Sequence, residues 1–150
     1  MLKSFLSRLS GDTTASQTPS ASDERIAVAA LLVHAARIDD SFTEVESDLI
    51  AAILAHRYKL PKSEAAELRD VGARADDAAV DTFRFTHTIR SILPPAERLT
   101  VLEALWSVVL SDEDKDSRED GLVRKLVELL DMSPHDSAHA RQRVLAAMKA

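Results

Sequence analysis

Two short acidic stretches contain the residues best suited to chemistry in this sequence. The second alternates Asp112, Asp114 and Asp116 and reaches Glu119 one helical turn later. Oxygen side chains that alternate in a tight loop leading into a helix are the ligands that a hard cation such as Ca²⁺ or Mg²⁺ prefers. The sequence therefore predicts a divalent-cation site that includes these four acids.

The first stretch repeats this arrangement earlier in the chain. Asp39 aligns with Asp112 and Glu46 with Glu119 without a gap, at a constant shift of 73 residues (112 − 39 = 119 − 46 = 73). Ser41 and Thr43, the positions that match Asp114 and Asp116, also carry oxygen-bearing side chains. Asp39 and Glu46 therefore join the predicted ligand set, and the predicted cation lies between two matching loops.

Positive charge must accompany such a group of carboxylates, because like charges in close proximity repel one another. Arg37, Lys115 and Arg118 are the local candidates for this role. The stretch is not an EF-hand loop: counting from Asp112, the sixth position is Ser117 rather than glycine.

Helix capping explains part of the same pattern without a cation. Thr43 followed three residues later by Glu46 fits a capping box, and the second stretch repeats this arrangement with an aspartate as the cap. Capping does not explain Asp39 and Asp112, which are expected to follow helix ends, where the helix dipole disfavours anions. The alternative hypothesis is a helical protein-interaction scaffold that binds no metal and whose acids serve as helix caps.

Other chemistry-bearing residues have plainer explanations. His135 and His139 are one helical turn apart, a spacing that can hold zinc, but no third ligand stands out, so an exposed pair is favoured. His87, Ser91 and Asp81 supply the groups of a catalytic triad, but no nucleophile elbow accompanies them. Because no segment supplies both a general base and an open pocket, a protein without enzymatic activity is predicted.

Helices are predicted to position these residues. The chain is rich in Ala and Leu, has 3 glycines and no cysteine, and contains 4% aromatic residues, a composition that favours packed helices over a sheet. The run 95–110 is apolar nearly all round, so it is expected to be the buried central helix. The predicted helices span about 24–38, 44–57, 61–73, a fourth that begins after Asp76 or Asp77 and ends before Pro94, 95–110, 117–130, and 134–148.

The 73-residue repeat extends into these helices. It pairs Leu32 with Leu105 and Ile50 with Val123, so two helix–acidic loop–helix units share one apolar register. Neither amphipathic pair can bury its inner face alone, and the two units are therefore expected to pack together. The predicted fold is an all-α, single-domain bundle of about seven helices built from two pseudo-repeated units.

The ends and the net charge complete the prediction. Residues 1–22 are expected to be a short amphipathic segment followed by a flexible Ser/Thr-rich linker, with the domain at 23–150. Residues 1–10, which carry Lys3, Arg8 and an apolar face, suggest weak association with a membrane surface. The net charge of −6 and the lack of a basic patch argue against nucleic acid. A cytoplasmic location is predicted, with peripheral association at the inner membrane face as the alternative.

Several motifs together resemble the TerB family of tellurite-resistance proteins. They are Val28–Leu32 leading into Asp39 and Glu46, Phe85-Thr86, Glu97-Arg98 before Leu102–Trp106, and Asp112 to Glu119 before Leu122-Val123-Arg124. The resemblance covers about residues 23–147. It implies an all-α fold of two helical halves, a divalent-metal site of acids at Asp39, Glu46, Asp112 and Glu119, and a stress-response role near the cytoplasmic membrane. Protein partners are expected for such a module.

Overall fold

Seven helices and no strands make up the part of the chain that the computed structural model describes, namely residues 20–38, 42–111 and 117–149, without the side chains of 117–120. The prediction of an all-α bundle is confirmed. None of the helices in these ranges has the length and apolar character required to cross a bilayer. The helices are α1 (Ala21–Arg37), α2 (Glu44–Tyr58), α3 (Lys62–Ala78), α4 (Phe83–Ile92), α5 (Pro95–Leu110), α6 (Ser117–Leu129) and α7 (Pro134–Lys149).

Local sequence signals fix several of these helix ends. The Ser20 hydroxyl accepts a hydrogen bond from the Asp23 amide, and the Asp23 carboxylate accepts one from the Ser20 amide, which together form the capping box of α1. Pro94 precedes α5 and Pro95 is its first residue, a position where the missing amide hydrogen is not required. These signals act through neighbouring residues and are therefore visible in the sequence.

The centre of the bundle is α1. All residues from Ile26 to Val33 are fully buried, and α1 packs against every helix from α2 to α6. The predicted central helix, α5, is also buried, with Val101, Leu102 and Leu105 fully enclosed, and it packs against α1, α2, α6 and α7. Small side chains on α1 allow close approach: a Cβ atom added at Gly72 of α3 would lie 2.6 Å from the Cβ of Ala29.

The predicted start of the fourth helix is wrong. Asp76 and Asp77 do not cap α4; both lie in the last turn of α3, and α4 begins at Phe83. Their carboxylates instead contact the end of α1. Arg37 binds Asp76 at 3.2 Å and Asp77 at 2.8 Å, and His34 Nδ1 lies 2.9 Å from Asp76 Oδ1. The positive charge of Arg37 offsets the unfavourable position of two acids at a helix C-terminus.

Several aligned apolar positions of the two predicted units are buried in both. Leu32 and Leu105, which align at the 73-residue shift, are both fully buried. A residue with positive φ also follows the second helix of each unit, although the two positions are 72 rather than 73 residues apart. Lys59 follows α2 with φ 54° and Asp131 follows α6 with φ 57°, the only two non-glycine residues with positive φ in the described ranges. The repeat therefore extends from the sequence to the burial of aligned apolar positions.

Candidate functional site

The structure describes the side chain of one of the six predicted cation ligands. Asp39, Asp112, Asp114 and Asp116 lie outside the described residues. Glu119 lies on α6, but its side chain is outside the described part as well. For these five acids, the cation site remains a prediction.

Glu46 is the one predicted ligand whose side chain is described. It is 5% exposed, and its Oε1 atom accepts hydrogen bonds from the Thr43 amide at 3.0 Å and the Thr43 hydroxyl at 3.1 Å. In return, the Thr43 hydroxyl oxygen accepts from the Glu46 amide at 3.1 Å. The predicted capping box is confirmed, and it occupies one carboxylate oxygen of Glu46.

The backbone dihedral angles at the two junctions are similar as far as they are described. Ile38 caps the C-terminus of α1 with φ −62° and ψ −28°, and Ser111 caps α5 with φ −71° and ψ −20°. These two residues align at the 73-residue shift. Asp39 and Asp112 are therefore the first residues beyond two equivalent helix caps, as predicted.

Arg37, one of the predicted neutralising cations, is engaged on α3. Besides its ion pairs with Asp76 and Asp77, it lies 5.7 Å from the ring centre of Phe42. Within the described residues, no three His, Asp or Glu side chains come together in a metal-binding group.

The three groups of the hypothetical triad contact their own helix or its start. The Ser91 hydroxyl donates to the His87 carbonyl at 2.8 Å, and the Asp81 carboxylate accepts from the Phe83 amide at 2.9 Å. The His87 ring stacks on Phe83 with ring centres 6.1 Å apart. These contacts do not form a charge relay. His135 and His139 are exposed, in agreement with the favoured reading.

A cleft that the sequence did not predict lies between the first turn of α1, the last turns of α2, and α5. It has a volume of about 860 Å³. At its wall, the carboxylate of Glu24 accepts a hydrogen bond from the hydroxyl of Tyr58. Burial raises the pKa of Glu24 above its ordinary value, although the Tyr58 hydrogen bond and the nearby Arg57 and Arg25 act in the opposite direction. Burial and the Glu24 carboxylate both raise the pKa of Tyr58.

Two arginines enclose the Tyr58 ring in this cleft. The guanidinium carbon of Arg25 lies 4.9 Å from the ring centre and that of Arg57 lies 5.6 Å from it, both within the range of a cation–π contact. Arg57 also donates to the Thr100 hydroxyl at 2.7 Å. The cluster therefore ties α1, α2 and α5 together at one end of the bundle.

The sequence did contain a signal for this cluster. At the 73-residue shift, Glu24-Arg25 aligns with Glu97-Arg98. Arg98 is buried and donates to the carbonyl of Leu130 at 2.6 Å, at the end of α6. In each unit, the arginine near the start of the first helix thus contacts the end of the second helix.

Comparison with known proteins identifies the family. The sequence model of the family described as "Tellurite resistance protein TerB" matches residues 25–142, which is most of the chain. No curated protein and no solved structure matches. The matched region runs from the first turn of α1 into α7 and includes both acidic stretches. The resemblance found in the motifs is confirmed, and the chain belongs to the TerB family of tellurite-resistance proteins.

Proposed function

We propose that this TerB-family protein is a non-enzymatic stress-response module that holds a divalent cation, Ca²⁺ or Mg²⁺, between its two acidic loops. The observation that carries the proposal is the equivalence of the caps Ile38 and Ser111. Asp39 and Asp112 directly follow these caps, where the helix dipole opposes a negative charge. A bound cation would offset this unfavourable electrostatic interaction at both junctions.

The donor set suits a hard cation. All proposed ligands are carboxylates, and Ca²⁺ and Mg²⁺ select oxygen donors. Glu46 would contribute through the oxygen that does not accept from Thr43. Arg37 was a candidate to neutralise the acidic loops, but its guanidinium pairs with Asp76 and Asp77 on α3 instead. This engagement supports the proposal that a bound cation neutralises them. A cation would bring positive charge to the acids and link the two units.

Isothermal titration calorimetry with Ca²⁺ and with Mg²⁺ tests this site. Wild type is expected to bind one of these ions. At a free ion concentration of about 100 times the Kd, binding would stabilise the fold by about 2.7 kcal/mol. Asp112→Asn should weaken binding, because it removes one ligand charge. Asp48→Asn is the matched control: Asp48 is exposed on α2, outside the aligned set, and its replacement should leave the titration unchanged.

Flat titrations of the wild type with both ions would remove the cation site from the proposal. Equal weakening by Asp48→Asn and Asp112→Asn would indicate general electrostatics instead of ligation. A metal-dependent melting temperature that Asp112→Asn abolishes would support direct coordination.

A protein-interaction scaffold is the second candidate function. The capping box favours it, since capping fully explains the position of Glu46. Exposed apolar side chains at Val45 and Phe83 offer contacts for a protein partner. On this hypothesis, Glu46→Gln lowers stability by about 1 kcal/mol or less, and neither ion has an effect on the melting curve. A cytoplasmic location, with peripheral association at the inner membrane face as the alternative, fits both candidates and is part of the proposal.

A further inference from the structure

The cleft beside Tyr58 continues along α5. A second hollow of about 380 Å³ lies next to it, and both are lined by Glu103 and Ser107. The far side of the second hollow is formed by Val144 and Met148 of α7. The two adjoining hollows are together called the α5 groove below, and their lining extends from the first turn of α1 to the last turns of α7.

The α5 groove offers apolar contacts at several points along its length. Ile53 and Ala104 line the cleft. Met148, at the other end, is 57% exposed although it is a large apolar side chain. Such a combination of concave shape and exposed apolar surface is typical of a surface that receives an amphipathic helix.

Three glutamates and three arginines line this groove, and two of the glutamates lie on α5. Glu97 and Glu103 both line it. Glu103 forms an ion pair with Arg143 of α7, and the Nε and Oε2 atoms of the pair are 3.1 Å apart. Two further arginines line the cleft, but their guanidinium groups contact the Tyr58 ring, and one of them also contacts Thr100. Because the three arginines are engaged within the groove, a partner with an apolar face and positive charge near Glu97 and Glu103 fits this surface.

The N-terminal segment of the same chain has this character. Residues 1–10 contain no acid, and Lys3 and Arg8 flank the apolar side chains of Leu2, Phe5, Leu6 and Leu9, which share one face of a helix. An amphipathic helix of ten residues is about 15 Å long. It is too short to be stable alone in water, so its apolar face needs a surface to cover.

The position at which the chain enters the bundle allows this segment to reach the groove. Ser20 is the first described residue, and the next residue, Ala21, lines the cleft. Nine residues, 11–19, separate this segment from Ser20, and nine extended residues span at most about 30 Å. We propose that residues 1–10 dock into the α5 groove as an amphipathic helix, through apolar contacts and the attraction of Lys3 and Arg8 to Glu97 and Glu103.

Engineered disulfide formation in the full chain tests this proposal, because the protein contains no cysteine. The test variant carries Leu6→Cys in the segment and Ser107→Cys in the groove. The control variant carries Leu6→Cys with Ser91→Cys. Both serines donate to the carbonyl four residues earlier, at 2.9 Å for Ser107 and 2.8 Å for Ser91, so the two replacements disturb α5 and α4 similarly.

The intramolecular disulfide to position 107 is expected to form about tenfold faster than that to position 91, because docking raises the local concentration of the segment. Undirected collision would give the opposite order, since Ser91 is exposed and Ser107 is half-buried. Adding Phe5→Ser to the test variant should reduce its rate to that of the control. This change lies outside the seven helices, so the fold is retained.

Three results would overturn the proposal. The first is equal disulfide rates at positions 107 and 91. The second is a rate at position 107 that Phe5→Ser leaves unchanged. The third is predominance of concentration-dependent disulfide-linked dimers, which would indicate that the segment docks on a second copy.

Discussion

The close contact between α1 and α3 gives the sharpest prediction for the fold. Gly72 lies in α3, where an added Cβ atom would be 2.6 Å from the Cβ of Ala29, 2.8 Å from its carbonyl carbon and 2.9 Å from the amide nitrogen of Ala30. Two of these three atoms are backbone, so no side-chain rotation relieves the overlap. Gly72→Ala must therefore push α3 away from the central helix.

The expected effect combines two opposite contributions. Overpacking of a tightly packed core destabilises by about 1–3 kcal/mol. Alanine in a helix is more favourable than glycine by about 1 kcal/mol. Because α1 is fully buried from Ile26 to Val33, separation of α3 disturbs the whole core, and we expect the first contribution to be larger. Gly72→Ala should lower the free energy of unfolding by about 1 kcal/mol.

Gly121→Ala is the matched control. Gly121 is also within a helix, but apart from its chain neighbours and the nearby backbone of its own helix, no atom of the described residues lies within 4 Å of the position of its added Cβ. This variant should gain about 0.5–1 kcal/mol, since only the helix preference changes. Urea unfolding followed by circular dichroism measures both free energies.

A second variant tests the cause of the destabilisation. Ala29→Gly removes the nearest atom, so combining it with Gly72→Ala should give a favourable coupling energy in a double-mutant cycle. The rescue should be partial, because the backbone atoms of Ala29 and Ala30 remain. Stability of Gly72→Ala equal to or greater than that of wild type would refute the steric argument, as would a coupling energy of zero.

Two further predictions concern the ends of α1 and α2. Burial raises the pKa of Glu24 in the folded state above its value of 4.5 in the unfolded chain. The stability that protonated Glu24 contributes is therefore fully present below pH 4.5 and is lost as the pH rises through the folded-state pKa. Glu24→Gln can still accept from Tyr58 but cannot ionise, so its stability relative to wild type should increase between pH 4 and pH 7; a pH-independent difference in urea unfolding would contradict this. Lys59 follows α2 with φ 54°, so Lys59→Gly should stabilise the fold by about 0.5–1 kcal/mol in thermal unfolding. Lys62→Gly, at the exposed start of α3, should not be stabilising, and a gain in that variant would point to a non-conformational cause.

Local signals in the sequence predicted most helix limits and one detail of the predicted site. The Pro94-Pro95 pair placed the start of α5 at Pro95, and Thr43 with Glu46 formed the expected capping box. These features depend on atoms within four residues of one another, so no knowledge of the fold is required. The 73-residue repeat also predicted that Asp39 and Asp112 follow helix ends, and the helix caps precede them at Ile38 and Ser111.

Contacts between distant residues could not be predicted in this way. Asp76 and Asp77 have the composition of an N-cap, but they extend α3 because Arg37, some 40 residues earlier, is close to them in the folded bundle. Likewise, the Glu24–Tyr58 hydrogen bond exists only because α1 and α2 pack with the start of one beside the end of the other.

The sequence alone thus determined the helices, their internal repeat, the family and the candidate acids, since these depend on periodicity, capping and local spacing. The tertiary structure decided which helix is central, where Arg37 and Asp76 pair, and that a cleft opens beside Tyr58. The physical reason is that a periodic pattern specifies which face of a helix is buried but not which neighbour covers it. That choice depends on shape, as at Gly72 and Ala29, and on charges far apart in the chain.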